Sequence, residues 1–472
     1  MGVAWKPVRG SALSLSEQLV EHWRALIQSH QVRAGVRLPS VRSLAESARV
    51  SRDTVVQAYD RLVALGLIQS RRGAGFFVRN QPDVALQDVP LSEQCCATGT
   101  QRIDTAHLLR SMFEQGAQSE AAGNAGLLPP HWLEPDMLTA AIRHVGRTAG
   151  MSLSGYGVPQ GYALLRQQIA AGLQAQDVPA HADHNLMTVA GVTHGLDLIM
   201  RLLVRPGDTV LVEDPAWFLV FGRLQAMGAH VVGVPRHASG PDLAALKVLA
   251  AQHQPKLFIL NTAVHNPTGQ TLSAVSAHAI LKVAEEYNFV LVEDDTYADF
   301  HPATPVRLAA LDGLRRVILV GGYAKTLSGA IRVGYIAAHA DWLRQLLDVK
   351  LLAGLTSPQL GEMVVHRILV EGQYRKHVER LRAKVDRARD LCLRRVEQLG
   401  WQVPIEPRAG MFVWADCGMD SEAFARKGAL QGVLLAPGML FSPQSKTSQM
   451  LRIAVPLAHH AKSWELLGSL NG

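Results

Sequence analysis

Asn266-Pro267-Thr268-Gly269, Asp294-Asp295-Thr296-Tyr297 and Gly321-Gly-Tyr-Ala-Lys325-Thr-Leu-Ser-Gly-Ala-Ile-Arg332-Val-Gly334 follow one another along the chain. Together they supply a carboxamide, a carboxylate, a phenol, an amine and a guanidinium, with glycines at the turns. An amine can capture an aldehyde, a carboxylate can keep a pyridine nitrogen protonated so that the ring withdraws electrons, and a cation can hold a phosphate. Those are the tasks of a pyridoxal phosphate site. No single residue of the set carries that reading without the others in this order.

Around these motifs lie short apolar runs: Leu186-Met-Thr-Val189, Thr209-Val-Leu-Val212, Leu257-Phe-Ile-Leu260, Phe289-Val-Leu-Val292 and Val317-Ile-Leu-Val320. Helical segments separate them. Unbroken apolar strands belong to a sheet covered on both faces, so the expected class is α/β with a mainly parallel sheet and functional groups at strand ends. After the first run, Ala190-Gly-Val-Thr-His-Gly-Leu-Asp197 opens a helix. The backbone N–H groups of Val192 and Thr193 at that start are suited to a phosphate.

A chain of 472 residues exceeds one ordinary core, so at least two domains are expected. No run of 18 apolar residues occurs, and the N-terminus lacks the pattern of an export signal, so neither a membrane span nor secretion is expected. Four cysteines make no disulfide framework, which suits a reducing cytoplasm. Cys95-Cys96 suggests either redox sensing or ordinary linker residues. The 19 histidines show no ligand spacing, so no metal is expected; His459-His460 is expected on an exposed helix. Residues 1–80 hold 12 Lys+Arg against 5 Asp+Glu, while the rest carries 35 of each sign. All the net charge thus sits at one end, which fits contact with a polyanion; a merely solvated basic surface would give the same count.

That basic end has its own pattern. Leu15, Leu19, Trp23, Leu26 and Ile27 mark an amphipathic helix broken at Ala34-Gly35; Ser40 caps a second with Leu44, Ala45 and Ala48 inward. Ser51 caps a third with Val55, Ala58, Tyr59 and Leu62 inward, closed by Gly66. Leu67–Ser70 and Phe76–Val78 then read as a β-hairpin around Arg71-Arg72-Gly73-Ala74-Gly75. The whole is an α+β winged helix-turn-helix. Leu38-Pro-Ser-Val-Arg-Ser-Leu-Ala45, Val50-Ser-Arg-Asp-Thr-Val55 and Tyr59-x-x-Leu62-x-x-x-Gly66-Leu-Ile68 resemble the GntR family of repressors. The resemblance implies DNA contacts at Arg42, Arg52 and Thr54 beside the cap Ser51, and a wing tip at Gly73. Arg71 and Arg72 are suited to phosphate or a narrow minor groove.

From about residue 120 onward the chain resembles the fold type I aminotransferases, on the motifs quoted above and on Glu213-Asp-Pro-Ala-Trp217, Tyr156-Gly-Val-Pro-Gln-Gly161, Arg408-Ala-Gly-Met-Phe-Val-Trp414 and Met450-Leu-Arg-Ile-Ala454. The resemblance implies that Lys325 carries the cofactor and Trp217 stacks on its ring. Asn266 and Tyr297 then bond the ring oxygen, and Asp294 pairs with the ring nitrogen. Arg332 holds the phosphate, Tyr156 reaches a phosphate in a second subunit, and Arg452 grips a substrate α-carboxylate. Glu293 and Asp295 compete with Asp294 on charge, but only Asp294 has the spacing to Tyr297. Gly322 and Ala324 stand where the family usually has hydroxyl residues, and Val192 replaces a frequent serine; each lost hydroxyl costs roughly 1.5–3 kcal/mol if nothing replaces it.

A GntR-like head on an aminotransferase-like body resembles the MocR subfamily of bacterial transcriptional regulators. The expected domains are residues 1–80, a linker over 81–105, and 106–472, with a helix over Leu108–Gly116. The implied protein is a cytoplasmic homodimer with a cross-subunit cofactor site. It reads double-stranded operator DNA and senses pyridoxal phosphate or an amino-acid or amine effector. A working aminotransferase with a secondary head, and a constitutive DNA-binding protein with an empty body, are the competing readings.

Overall fold

The computed structural model describes residues 5–11, 13–29, 31–79 and 126–471. They form two compact units, one within Met1–Thr100 and one within Gln101–Gly472. The expected linker over 81–105, Cys95-Cys96 and the helix expected over Leu108–Gly116 lie outside the described residues.

In the first unit three capped helices and a hairpin share one core. Helix α1 (Leu15–Gln28) begins at Ser14, whose hydroxyl accepts from Glu17 N while the Glu17 carboxylate accepts from Ser14 N, so two end donors are satisfied reciprocally. It ends at Gln28, earlier than Ala34-Gly35 suggested; Gly35 serves a later turn at φ +79°. Helices α2 (Val41–Ala48) and α3 (Arg52–Ala64) start where expected, Ser40 accepting from Ser43 N and Ser51 from Thr54 N. Strands β1 (Ile68–Arg71) and β2 (Gly75–Val78) pair antiparallel, with Arg71 opposite Gly75. Gly73 supplies the φ of +73° that the turn between them needs. The wing gains a third ply that the sequence reading lacked: Leu38 N donates to Phe76 O at 2.8 Å and Val78 N to Val36 O at 2.9 Å. Leu19, Trp23, Leu44, Val55, Leu62 and Ile68 fill the core, each contributing about 1.5–3 kcal/mol of burial. Tyr59 joins them and donates its hydroxyl to Pro39 O, tying α3 to the start of α2.

The second unit is built on eight strands: β3 (Leu186–Val189), β4 (Thr209–Asp214), β5 (His230–His237), β6 (Gly240–Pro241), β7 (Leu257–Leu260), β8 (Val290–Asp294), β9 (Val317–Gly322) and β10 (Gly334–Ala337). Their order is β3-β10-β9-β8-β7-β4-β5-β6. The ladders from β9 through β8, β7 and β4 to β5 are parallel, while β10 runs antiparallel to both neighbours and β6 to β5. Alternate residues of each strand face opposite cores. Leu211, Phe258, Leu291 and Leu319 pack on one side, and Val210, Ile259, Val292 and Val320 on the other. Because β4, β7, β8 and β9 are parallel neighbours, the segments that leave their C-terminal ends lie together. Those segments carry Trp217, Asn266, Asp294 and Lys325.

A smaller sheet of β11 (Phe412–Asp416), β12 (Ala436–Pro437) and β13 (Met450–Ala454), in the order β11-β13-β12, packs with the long helix Gln373–Gln398 around a third core of this unit. His459-His460 does not lie together on one exposed helix as expected, although His459 is exposed. His459 ends a short 3-10 turn and His460 precedes the helix Ala461–Asn471, its ring bonded to the Ser463 hydroxyl. Among the described residues no helix is long and apolar enough to cross a membrane, and no group of three His, Cys, Asp or Glu side chains is arranged to hold a metal ion.

Candidate functional site

The three acids at the end of β8 divide their work. Glu293 accepts from the Thr262 hydroxyl and from Leu308 N and Ala309 N, and Asp295 is bridged by Arg307 at 3.0 Å. Asp294 takes both of its bonds, from Thr296 N and the Thr296 hydroxyl, on Oδ1. Oδ2 therefore has capacity left. Burial raises the Asp294 carboxyl above its ordinary value, against the Thr296 bonds and the Lys325 charge, so a further cation beside it would be stabilised.

Lys325 projects from the loop after β9 with its amine 5.9 Å from the Tyr297 ring centroid and donates to Gly126 O at 2.6 Å. Withdrawal from water, reinforced by Arg452 and Arg332 and opposed by Asp294, lowers its pKa to about 8. Asn266 Nδ2 lies 3.4 Å from the Tyr297 hydroxyl, so both can reach one oxygen, and Asn266 Oδ1 accepts from Arg452 Nη1 at 3.1 Å. Arg452 is buried, with its guanidinium 4.3 Å from the Phe412 ring centroid and 5.0 Å from that of Phe441. Amine, carboxylate, amide, phenol and guanidinium thus converge within one chain.

The end of the site that bears Arg332 is built separately. Gly191 caps the helix Val192–Leu203 at φ +85°, and a Cβ there would stand 2.9 Å from Arg332 Nη2. Glycine therefore allows the guanidinium to lie beside the helix start, where the N–H groups of Val192 and Thr193 have no acceptor one turn back. Arg332 itself adopts φ +56°, rare for a residue with a side chain and found where a site holds its backbone. A Cβ on Gly322 would come 3.2 Å from Val192 Cγ2, so two of the three missing hydroxyls concern one place and the valine methyl occupies it. These residues fit a phosphorylated pyridine aldehyde: a buried carboxylate for the ring nitrogen, a nearby amine of lowered pKa, and a cradle that any side chain at 191 would close. Trp217 sits after β4, half-buried against the sheet core. Tyr156 is not brought into the cluster; it is 84 % exposed.

Sequence reasoning missed the support behind these groups. The Asn261 amide donates to Asp294 O at 2.7 Å and accepts from Asn266 N at 2.9 Å, so one side chain ties the two segments together. Its own N–H donates to Glu213, which is buried against Arg236 and His265. The signal was available in part: Glu213 ends an otherwise apolar strand run.

On the first unit, Arg52, Asp53 and Arg72 are exposed, and the Thr54 hydroxyl is bonded to that of Ser51 at 2.8 Å. Arg42 pairs with Glu46 at 3.0 Å, yet its side chain is 75 % exposed; such a surface pair is worth at most about 1 kcal/mol and yields readily to a phosphate. Arg71 lies 4.7 Å over the Phe77 ring. Arg37, unforeseen, is exposed beside the hairpin, and a Cβ on Gly75 would come 3.4 Å from its Nε. Exposed cations thus stand on α2, at the start of α3 and on the wing, the elements with which winged helices in general meet a duplex. Arg52→Ala should weaken specific DNA binding by about 1–3 kcal/mol, read by titration against a preferred and a scrambled duplex. Equal weakening on both would make Arg52 a phosphate contact.

The profile of aminotransferases of class I and II matches residues 123–470, and that of the bacterial regulatory proteins of the gntR family matches residues 15–78. The chain belongs to the class I and II aminotransferase family and carries a GntR-type winged helix, the combination of the MocR subfamily. It is 25% identical over 460 residues to the uncharacterized HTH-type transcriptional regulator YisV of Bacillus subtilis, covering 94% of this chain and 93% of that one. It is 28% identical over 450 residues to YjiR of Escherichia coli, described in the same words, covering 92% and 93%. Among solved structures, LysN, the alpha-aminoadipate aminotransferase of Thermus thermophilus complexed with N-(5'-phosphopyridoxyl)-L-leucine, is 25% identical with a TM-score of 0.69, covering 76% of this chain and 94% of that one.

Proposed function

We propose that this protein is a pyridoxal phosphate-dependent transcriptional regulator: a DNA-reading head over residues 1–80, a linker over 81–105, and a body over 106–472 that senses the cofactor and an amino acid or amine. The observation that carries it is the convergence of Lys325, Asp294, Asn266, Tyr297 and Arg452 in a chain that also bears a winged helix. Pyridoxal phosphate, when bound, offers an aldehyde and an electron-withdrawing ring. In this reading Lys325 supplies the amine that attaches it and Asp294 keeps a proton at the ring nitrogen. Asn266 and Tyr297 hold the ring oxygen, Trp217 covers a ring face, and Arg332 with Val192 N and Thr193 N holds the phosphate. The exposure of Tyr156 supports a role in a second copy's site, and so a homodimer. An effector controls DNA binding only if it binds two arrangements of the body unequally.

Arg452 sets the effector class, because a buried guanidinium beside Asn266 suits an α-carboxylate and gives nothing to a simple amine. Arg452→Ala should lower affinity for a responding amino acid about 10- to 100-fold, the worth of a charged hydrogen bond, while pyridoxal phosphate still attaches. The test is an absorbance titration with the twenty amino acids, repeated with DNA present. A variant that responds like the wild type would remove Arg452 from the effector site. The second reading, a working aminotransferase, is favoured by the completeness of the catalytic set. Sustained turnover near 1 per second or faster with a keto acid, and no effect of the amino acid on DNA affinity, would make it primary.

A further inference from the structure

The first described residues of the second unit, Gly126–Glu134, run alongside the loop that bears Lys325. At one end the Lys325 amine donates to Gly126 O at 2.6 Å, and a Cβ on Gly329, four residues after the lysine, would lie 3.5 Å from Leu127 Cδ2. In the middle, Leu128 and Trp132 are buried in the same core as Tyr297 and Phe412. At the far end Glu134 accepts two bonds from Arg380, at 2.7 and 2.8 Å, and lies 3.5 Å from His377 Nδ1. His377 Nε2 in turn donates to Thr326 O at 2.5 Å. The segment therefore meets the Lys325–Gly329 loop directly at its N-terminal end and through His377 at its far end, and on its N-terminal side the chain leads back to the winged helix.

We infer that Gly126–Glu134 is a strap that Lys325 holds in place while its amine is free and releases when the amine is occupied. This rests on the proposed cofactor reading for the identity of the occupant. The balance of the step gives the reason. Attachment of an aldehyde carbon to the neutral amine forms a carbon–nitrogen double bond and expels the aldehyde oxygen, together with both amine hydrogens, as water. Nζ then has neither hydrogen left for Gly126 O. Leu128, Trp132 and Glu134 keep their own contacts, so the strap does not detach; it loosens from its N-terminal end, and the turn over residues 129–133 next to that end opens more often. That end is joined to the chain leading to the head, so the chemistry at Lys325 has a covalent route along which to act.

The test is amide hydrogen exchange in the full-length protein, read at Trp132 and Leu133, whose N–H groups donate to Pro129 O and Pro130 O. Cofactor-free wild type should protect them, and saturating pyridoxal phosphate should speed exchange about 5-fold, the equivalent of one ordinary hydrogen bond. Lys325→Ala should exchange at the faster rate with or without the cofactor. Lys325→Arg keeps a donor but cannot condense with the aldehyde, so it should stay protected in both conditions. Equal protection in the alanine and arginine variants would overturn the strap. So would unchanged exchange in unreduced wild type whose attachment at Lys325 is shown by its absorption band and, in a parallel sample, by borohydride trapping. If pyridoxal phosphate never attaches to Lys325, the cofactor reading fails, and the comparison of the two variants still decides the strap.

Discussion

Lys325→Ala should abolish covalent attachment of pyridoxal phosphate altogether, because among the residues that converge on Asp294 and Tyr297 it brings the primary amine. Borohydride reduction and peptide mapping of the wild type should place the pyridoxyl group on Lys325 alone. Lys350 is an internal control. Its amine is also buried, with a pKa lowered to about 8 chiefly by burial, but it donates to Pro159 O and Thr188 O away from the site. Label on Lys350, or an undiminished absorption band in the alanine variant, would remove Lys325 from its role. The pH dependence carries a sign. Only the neutral amine attacks, so the attachment rate should climb as pH rises through about 8 and level off above it. Stability moves the same way: the folded state holds fewer protons on Lys325 than the unfolded state between about 8 and the ordinary 10.5, so this lysine's cost to stability is relieved as pH rises through that window.

The parts of this fold legible in the sequence are those whose signal is local. Ser40 and Ser51 announce helix starts because a hydroxyl three residues before a donor is a short-range device. The apolar runs Leu186–Val189 and Leu257–Leu260 are strands to the residue. Asp294 could be told from its acidic neighbours by its spacing to Tyr297, and those neighbours are engaged elsewhere, Glu293 with backbone N–H groups and Asp295 with Arg307. What escaped depends on distant partners. β10 is four residues with glycine and tyrosine among them, and it is a strand only because β3 and β9 flank it. β5 carries Gly233 and Pro235, poor strand formers on their own. The bond between Lys325 and Gly126 joins residues 199 apart in sequence. Tyr156 is legible as a motif and uninformative as geometry, since its expected partner belongs to another copy.

Glu213→Ala should destabilise the body by about 3–5 kcal/mol, the cost of stranding a buried charge. Glu213 and Arg236 are both buried and paired across β4 and β5, and His265 adds its ring at 3.4 Å. Burial alone would raise the Glu213 carboxyl, but attraction to Arg236 and His265 and the bond from Asn261 N outweigh it and hold the group below its ordinary value. A depressed carboxylate contributes stability that is present above its unfolded pKa and lost as pH falls through the folded one. The single variant should therefore lose stability at neutral pH and part of its acid sensitivity, measured by urea unfolding at several pH values. Glu213→Leu with Arg236→Met tests what the pair is for. Replacing both partners with apolar residues of similar volume is often neutral, so the double variant should regain most of the stability. It should not regain cofactor affinity, because Asn261 N has lost its acceptor and Asn261 holds both the Asp294 carbonyl and the Asn266 N–H. Wild-type affinity in a restored double variant would mean that Glu213 serves only the fold, and that Asn261 holds its place by packing alone.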